Sequence, residues 1–328
     1  MLTRRGLGLV AGGALISACT PRAAAGDRRA FTAAEVHPDG HPVVQAVHWM
    51  SEELGRLTDG RLSINQYPSG QLGAEDDSIG LARFNAVDMC RVAVAALNNA
   101  FPETRLLALP YVFRSIEHMR AVVDGEIGRG LLDVYAHRGL VGLAYYDAAP
   151  RCLYNVRQPV AEPGQLRGLK IRAPNSDIFL EMLAAMGANP TPLSFGAVFS
   201  SLQTHLIDGA ENNWPSYQSS RQYEVAQYWS DSQHCFSPDA LLMSKDALDA
   251  LSVADRDLVR DVARRSVEIQ RQAWDERTAT AQAETTAAGV QITAVDREAF
   301  AATTRPLLER YLRDPVLRRL HDRAVAEG

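Results

Sequence analysis

The sequence predicts an α/β protein of two lobes, with crossing strands, a hinge and one long helix bridging the lobes. Three observations predict it. At 328 residues, 46% of them hydrophobic and 22% charged, the chain exceeds what one small core organises and suits two lobes with a cleft between them. Short apolar strands alternate with helices, the order expected of helices packed on a mostly parallel sheet. Residues 254–287 contain neither Pro nor Gly, and a helix of that length spans roughly 50 Å, longer than one lobe is wide.

Local chemistry justifies the elements in turn. Residues 31–36 read as a first strand, and His37-Pro38-Asp39-Gly40-His41-Pro42 as a loop, because Pro and Gly punctuate it. Val43, Val47, Met50 and Leu54 recur at helical spacing before Gly60. Then come a strand at 62–67, the turn Pro68-Ser69-Gly70, a helix over 75–84 and a short apolar strand at 89–94. A second block begins near Leu140, where strands at 141–146 and 152–156 flank Ala148-Ala149-Pro150. Residues 170–173 form a strand stopped by Pro174, residues 176–186 a helix closed by Gly187, and residues 195–204 a helix leading to Asp208-Gly209. Residues 241–244 return the chain to the first lobe, and repeated crossing makes a hinge. In the long helix Leu258, Val262, Ile269 and Ala273 keep apolar groups on one side, with Ser252 and Asp255 as a capping pair. Heptads of large apolar residues are absent, which argues against a coiled coil. The expected division is 1–26 signal and linker, 27–147 first lobe, 148–235 second lobe, and 236–328 return strand, bridging helix and C-terminal helices.

Arg4 and Arg5, an uncharged run over 6–18 and then Cys19 have the layout of an export signal. The run is too short to span a bilayer, and no other stretch approaches the roughly 20 apolar residues a span requires. Leu15-Ile16-Ser17-Ala18-Cys19 resembles a bacterial lipobox, which makes Cys19 a lipidated first residue and the protein periplasmic and membrane-tethered. Ordinary cleavage after Ala23-Ala24-Ala25 is the alternative. Thr3-Arg4-Arg5 fits a twin-arginine signal or the usual positive n-region. Cys90, Cys152 and Cys235 read as buried thiols acting as small hydrophobes.

A net charge of −5, without basic segments interleaved with aromatics, excludes nucleic acid. No Gly-x-Ser-x-Gly elbow, His-Glu-x-x-His pair or Walker loop occurs in the mature region. Gly6, Gly8 and Gly12 only mimic a dinucleotide fingerprint inside the signal. His37 and His41 bracket a turn without a neighbouring Cys or carboxylate cluster. No cofactor, metal or catalytic residue is expected.

The polar residues that stand out sit at strand ends: Arg151 before its strand, Arg172 in Lys170-Ile171-Arg172-Ala173-Pro174, and Asn212 in Glu211-Asn212-Asn213-Trp214. In open α/β sheets such ends face the ligand crevice. An arginine flanked by apolar residues needs a carboxylate, supplied internally or by a ligand. Its planar fork matches a carboxylate with two parallel bonds. The chemistry alone leaves both partners open.

At these residues the chain is similar to the substrate-binding subunit of tripartite ATP-independent periplasmic (TRAP) transporters, the DctP-like family. The resemblance covers residues 31–244. It runs through Tyr67-Pro68-Ser69-Gly70-Gln71-Leu72-Gly73, Ala86-Val87-Asp88-Met89, Leu109-Pro110-Tyr111-Val112-Phe113, Pro159 to the Lys170-Ile171-Arg172 strand, Met186-Gly187-Ala188-Asn189-Pro190, and Leu202-Gln203 before Asp208-Gly209. It implies a periplasmic-binding-protein fold and no catalysis. The implied protein is a monomer that carries a small organic acid to membrane subunits of a TRAP transporter. It implies Arg172 as the bidentate carboxylate clamp, Arg151 as its support, Asn212 as a hydrogen-bonding ligand contact, and Trp214 and Tyr217 as ligand-specific side chains. Ala197 and His205 depart from the family's usual glutamate and glycine.

Glu211, Asn213, Trp214 and Tyr217, with Tyr145-Tyr146-Asp147, resemble members that bind hexuronates such as glucuronate or galacturonate. His37, Glu75 and Asp76 are first-lobe candidates for hydroxyl contacts. A C4-dicarboxylate is the runner-up and would want a second cation opposite Arg172, with Arg83, Arg91 and Arg114 available. A lyase acting on carboxylated sugars is the alternative of another class, with Glu211 or Asp147 as base. A sensor's ligand-binding partner would share the fold.

Overall fold

The structure, a computed structural model, describes residues 28–327. The expected export signal and Cys19 lie outside the described residues. The first half of the chain runs β1 (Arg29–Ala34), α1 (Pro42–Leu57), β2 (Leu62–Tyr67), α2 (Glu75–Arg83), β3 (Met89–Ala93), α3 (Val94–Leu97), α4 (Ile116–Asp124), α5 (Glu126–Asp133) and β4 (Leu140–Tyr146). The second runs β5 (Arg151–Asn155), β6 (Lys170–Ala173), α6 (Asp177–Ala185), β7 (Asn189–Pro192), α7 (Val198–Gln203), β8 (Gly209–Asn212), α8 (Trp214–Ser219) and β9 (Tyr228–Cys235). There follow β10 (Asp239–Ser244), α9 (Lys245–Asp249), α10 (Val253–Ala287), β11 (Gln291–Thr293), α11 (Arg297–Tyr311) and α12 (Pro315–Ala326).

Two sheets form two lobes. The first has the order β2-β1-β3-β10-β4 and the second β11-β9-β5-β8-β6-β7. The expected parallel character holds for β1 with β2 and β3, and for β6 with β7 and β8. It fails at two of the crossings between lobes: β10 is antiparallel to β3 and β4, and β5 is antiparallel to β8 and β9, whereas β11, which follows α10, is parallel to β9. Where Gly209 opens β8, an added Cβ would lie 2.4 Å from the Tyr154 carbonyl oxygen, so only glycine lets β8 approach β5 this closely.

The long helix α10 has 35 residues and starts at Ser252, whose hydroxyl accepts the Asp255 N–H at 3.1 Å. Asp255 itself turns to Arg61 at 2.5 Å, tying the helix start to the first lobe. The buried stripe differs from the expected one. It runs through Val259, Val262, Ser266, Gln270 and Trp274, while Ile269 and Ala273 stay half-buried. Hydrogen bonds explain the shift. Ser266 meets the Tyr146 hydroxyl at 2.7 Å, Gln270 brackets the Asp147 backbone at 2.9 Å on both sides, and the Trp274 indole donates to the Ala149 carbonyl at 3.2 Å. Residues one turn apart thus stitch the helix to the first crossing, and polar groups sit where an apolar stripe was expected.

The first-lobe core packs Phe31, Val43, Val47, Met50 and Leu54 against Val259 and Val262 of the helix. The second lobe has an aromatic core of Tyr154, Trp214, Tyr217 and Trp229. Cys90, Cys152 and Cys235 are free and buried, and burial pushes the Cys90 and Cys235 thiols up to about 12. Among the described residues no helix is long and apolar enough to cross a membrane.

Candidate functional site

A cleft of roughly 380 Å³ lies between the lobes, lined on one side by Arg151, Arg172, Asn212 and Ser216 and on the other by His37, Glu75, Arg91 and Asp239. Strand register assembles the second-lobe wall. Cys152 pairs with Asn212 across β5 and β8, and Arg172 with Ala210 across β6 and β8, so the start of β5 and the ends of the other two strands share one edge.

Arg172 is 4% exposed, and its Nε donates to the Leu193 carbonyl at 2.9 Å. Among the described residues no carboxylate forms an ion pair with its guanidinium and no acceptor bonds its Nη1 or Nη2, and the residue lines the cleft. Burial pulls its pKa below the ordinary value, with Glu211 as the main opposing influence. A buried guanidinium so placed is a strong anion receptor. Arg151 also reaches the cleft wall, but its fork is taken: Nε and Nη2 meet Glu211 at 2.5 and 2.7 Å, and the guanidinium lies 5.4 Å from the Phe179 ring centre. Burial pushes the Glu211 carboxyl upward, yet Arg151 and His234 hold it at about 2. Arg151 and Glu211 therefore form a neutral pair at the cleft wall, held through Nε and Nη2.

The side-chain oxygen of Asn212 accepts the Asn213 N–H at 2.9 Å, leaving its amide nitrogen for the cleft. Asn213 is used at both ends: its oxygen caps α8 at the Ser216 N–H (2.8 Å) and its nitrogen donates to the Ala148 carbonyl (3.0 Å).

The first-lobe wall has the opposite chemistry. Arg91 on β3 is engaged on every side, by Glu35 through Nε (2.7 Å) and Nη2, by Glu75 (3.0 Å) and by Asp239 (3.2 Å). Burial pushes the Glu35 carboxyl upward, but Arg91 holds it at about 2; burial raises Asp239 to about 6 against the pull of the same arginine. Glu75 Oε1 also accepts the Ala93 N–H at 3.0 Å. The second oxygens of Glu75 and Asp239 have no hydrogen-bond donor among the described residues. His37 bridges the walls, with Nε2 3.1 Å from the Ser216 hydroxyl and Nδ1 2.9 Å from Glu35.

Five expected site residues need correction. Trp214 stacks on Trp229 with ring centres 3.6 Å apart, and the buried Tyr217 donates its hydroxyl to the Ala226 carbonyl at 2.5 Å. Both fill the second-lobe core, because α8 turns its apolar face away from the cleft. Glu211 pairs with Arg151 and is not among the residues that line the cleft. Asp147 pairs with Arg120 at 2.7 Å beside α10, and Asp76 interacts with Asn175 outside the cleft lining. Of the arginines considered for a second cation, Arg83 donates to the Arg138 carbonyl and Arg114 to that of Val325, both outside the cleft lining.

Glu35 and Asp239 were missed. Asp239 opens the apolar strand Asp239-Ala240-Leu241-Leu242, and the rule that singled out Arg172 would have singled it out too. Arg91, between Cys90 and Val92, shares that signature.

Over residues 33–314 the chain matches the family described as Bacterial extracellular solute-binding protein, family 7. It is similar to a solved TRAP periplasmic solute-binding protein from Bradyrhizobium sp. BTAi1 in complex with α/β-D-galacturonate. Identity there is 42%, with a TM-score of 0.89, over 91% of this chain and 100% of that one. The counterpart from Xanthobacter autotrophicus Py2, with bound β-D-galacturonate, is 40% identical with a TM-score of 0.89, over 91% and 100%. One from Pseudomonas putida F1 with bound D-glucuronate is 34% identical with a TM-score of 0.86, over 89% and 96%.

Proposed function

The chain belongs to the DctP family of extracellular solute-binding proteins, the substrate-binding subunits of TRAP transporters, and from that premise we propose that it captures a hexuronate by its carboxylate on Arg172. The observation that carries this reading is the buried Arg172 guanidinium without a protein carboxylate, opposite a wall of carboxylates. One end of the cleft then takes a single anionic group. Glu75 and Asp239 offer acceptors to ligand hydroxyls at the other end, and the Asn212 amide donates beside the clamp. The galacturonate and glucuronate held by the structural relatives have this polarity, one carboxylate and a ring of hydroxyls.

In this reading residues 27–147 and 148–235 close on the ligand about the crossing strands, and residues 236–328 supply the return strand, the bridging helix and the C-terminal helices. The closed monomer docks on the membrane subunits of the transporter. Lipidation at Cys19 tethers it in the periplasm, so a Cys19→Ala variant would lose incorporated labelled palmitate. No catalysis follows, because Glu211 is locked by Arg151 and Asp147 lies off the cleft lining. Among the described residues a C4-dicarboxylate finds no unpaired cation opposite Arg172 in the cleft lining.

The test is a thermal-shift and calorimetric panel of D-galacturonate, D-glucuronate, D-gluconate, succinate and L-malate, with the acids assayed again after incubation. A hexuronate at 100 times its Kd should add about 2.7 kcal/mol of stability and be recovered intact. A response to succinate and none to either hexuronate would end the reading, and consumption of the uronate would make the protein an enzyme.

A further inference from the structure

We propose that the first-lobe wall is a charge filter that rejects acids with a second carboxylate, and that Asp239 is its specificity-determining residue; the inference rests on Arg172 as the clamp for the first carboxylate. Three carboxylates, Glu35, Glu75 and Asp239, share the single cation Arg91. With all three ionised the cluster carries a formal excess of two negative charges. Arg151 is neutralised by Glu211 across the cleft. A monoanion therefore uses Arg172, the one cation of the cleft lining without an ion-pair partner among the described residues, and a dianion must place its second charge against the acidic cluster. Like charges juxtaposed in a desolvated cleft repel strongly, and specificity of this kind excludes the wrong ligand in addition to favouring the right one.

Asp239 is the residue best placed to set the filter. It is 3% exposed, lines the cleft, and holds Arg91 through Oδ2 alone. It is the first residue of β10, just after the second crossing, so its position is fixed by pairing to β3 and β4. Glu35, in contrast, spends both oxygens on Arg91 and His37. The charged groups that act on Asp239 are Arg91 of β3, His37 and Glu35 after β1, and Glu75 of α2, with Arg151 across the cleft. Asp239 is raised to about 6 by burial, so acidification should remove one charge from the wall and weaken the filter.

The experiment compares two acids with one carbon skeleton, D-galacturonate and its dicarboxylate galactarate, by calorimetry on the full mature protein from pH 5 to pH 8. The wild type should prefer galacturonate at least 100-fold at pH 7.5, with the preference falling as pH drops through about 6. Asp239→Asn should cut the preference at least tenfold, about 1.4 kcal/mol, and leave it nearly flat with pH. The difference between the two proteins' profiles isolates Asp239 from every group they share. Glu75→Gln should also narrow the preference, and it serves if Asp239→Asn does not fold. An unchanged preference in both variants, or a wild type that binds galactarate as well as galacturonate, overturns the filter. If neither hexuronate binds, the uronate reading fails by itself. The filter is then judged on D-gluconate against D-glucarate, where a preference for the dicarboxylate overturns it.

Discussion

Arg91 in the first lobe and Arg172 in the second are both buried guanidinium groups on short strands, 2% and 4% exposed, yet among the described residues three carboxylates surround the first and none pairs with the second. The difference separates two uses of the same residue. Arg91 neutralises an acidic wall and is part of the folded structure whether or not a ligand is present. Arg172 bears a burial penalty that only an incoming anion offsets, which turns desolvation into affinity.

The largest effect should come from breaking the saturated site. Arg91→Met leaves Glu35, Glu75 and Asp239 buried without a counter-ion, and removing one partner from such a cluster costs about 3–5 kcal/mol. For a chain of this size that lowers Tm by about 6 °C, measurable by scanning calorimetry without ligand. Arg172→Ala should do the reverse. Its ligand-free Tm should stay level or rise, because an unfavourably buried charge is gone, while Kd for the hexuronate rises about 100-fold, in line with charge-assisted bonds of about 1.5–3 kcal/mol each. If Arg172→Ala melts early with unchanged affinity, the two arginines have been assigned the wrong way round.

The same contrast explains what was legible in the sequence. Element order could be read because Pro, Gly and apolar periodicity are local: β2 and β6 were expected at the residues where they occur, and α10 began within one residue. The edge that gathers Arg151, Arg172 and Asn212 could also be read, from strand ends and the family's motif order. Whether an arginine is already paired could not, since Arg91 lies 56 residues from Glu35 and 148 from Asp239. Nor could the facing of Trp214 and Tyr217, because a two-turn helix beside a cleft has one wet side and one dry side, and six residues do not fix which is which. The antiparallel entry of β5 and β10 depends on a lobe crossing that no local pattern encodes.

Acid titration sharpens the comparison within the first lobe and across to the second. Glu35 and Glu211, both held at about 2, contribute stability above the ordinary glutamate pKa that is lost as pH falls toward 2. Asp239 has the opposite sign. Its folded-state pKa is raised to about 6, so the folded protein holds a proton the unfolded chain has released between roughly pH 4 and 6, and stability is lost as pH rises through that window. Asp239→Asn should therefore stabilise the ligand-free protein at pH 7.5 by roughly 1–3 kcal/mol, with the gain vanishing near pH 4. A gain independent of pH would mean that Asp239 is not the titrating group.

The smallest effect concerns a bond that joins the two walls, between His37 Nε2 and the Ser216 hydroxyl at 3.1 Å. Ser216→Ala removes it while leaving the backbone N–H that Asn213 caps. A single hydrogen bond of this kind contributes about 1 kcal/mol net, so Kd should rise about fivefold. Ser216 also lines the cleft, and a direct contact with the ligand would produce a loss of similar sign. A double-mutant cycle with His37→Gln separates the two. If the hydroxyl acts only through His37, the double variant binds no more weakly than His37→Gln alone. If it contacts the ligand, the two losses add, and the second-lobe wall gains a hydroxyl reader beside its clamp.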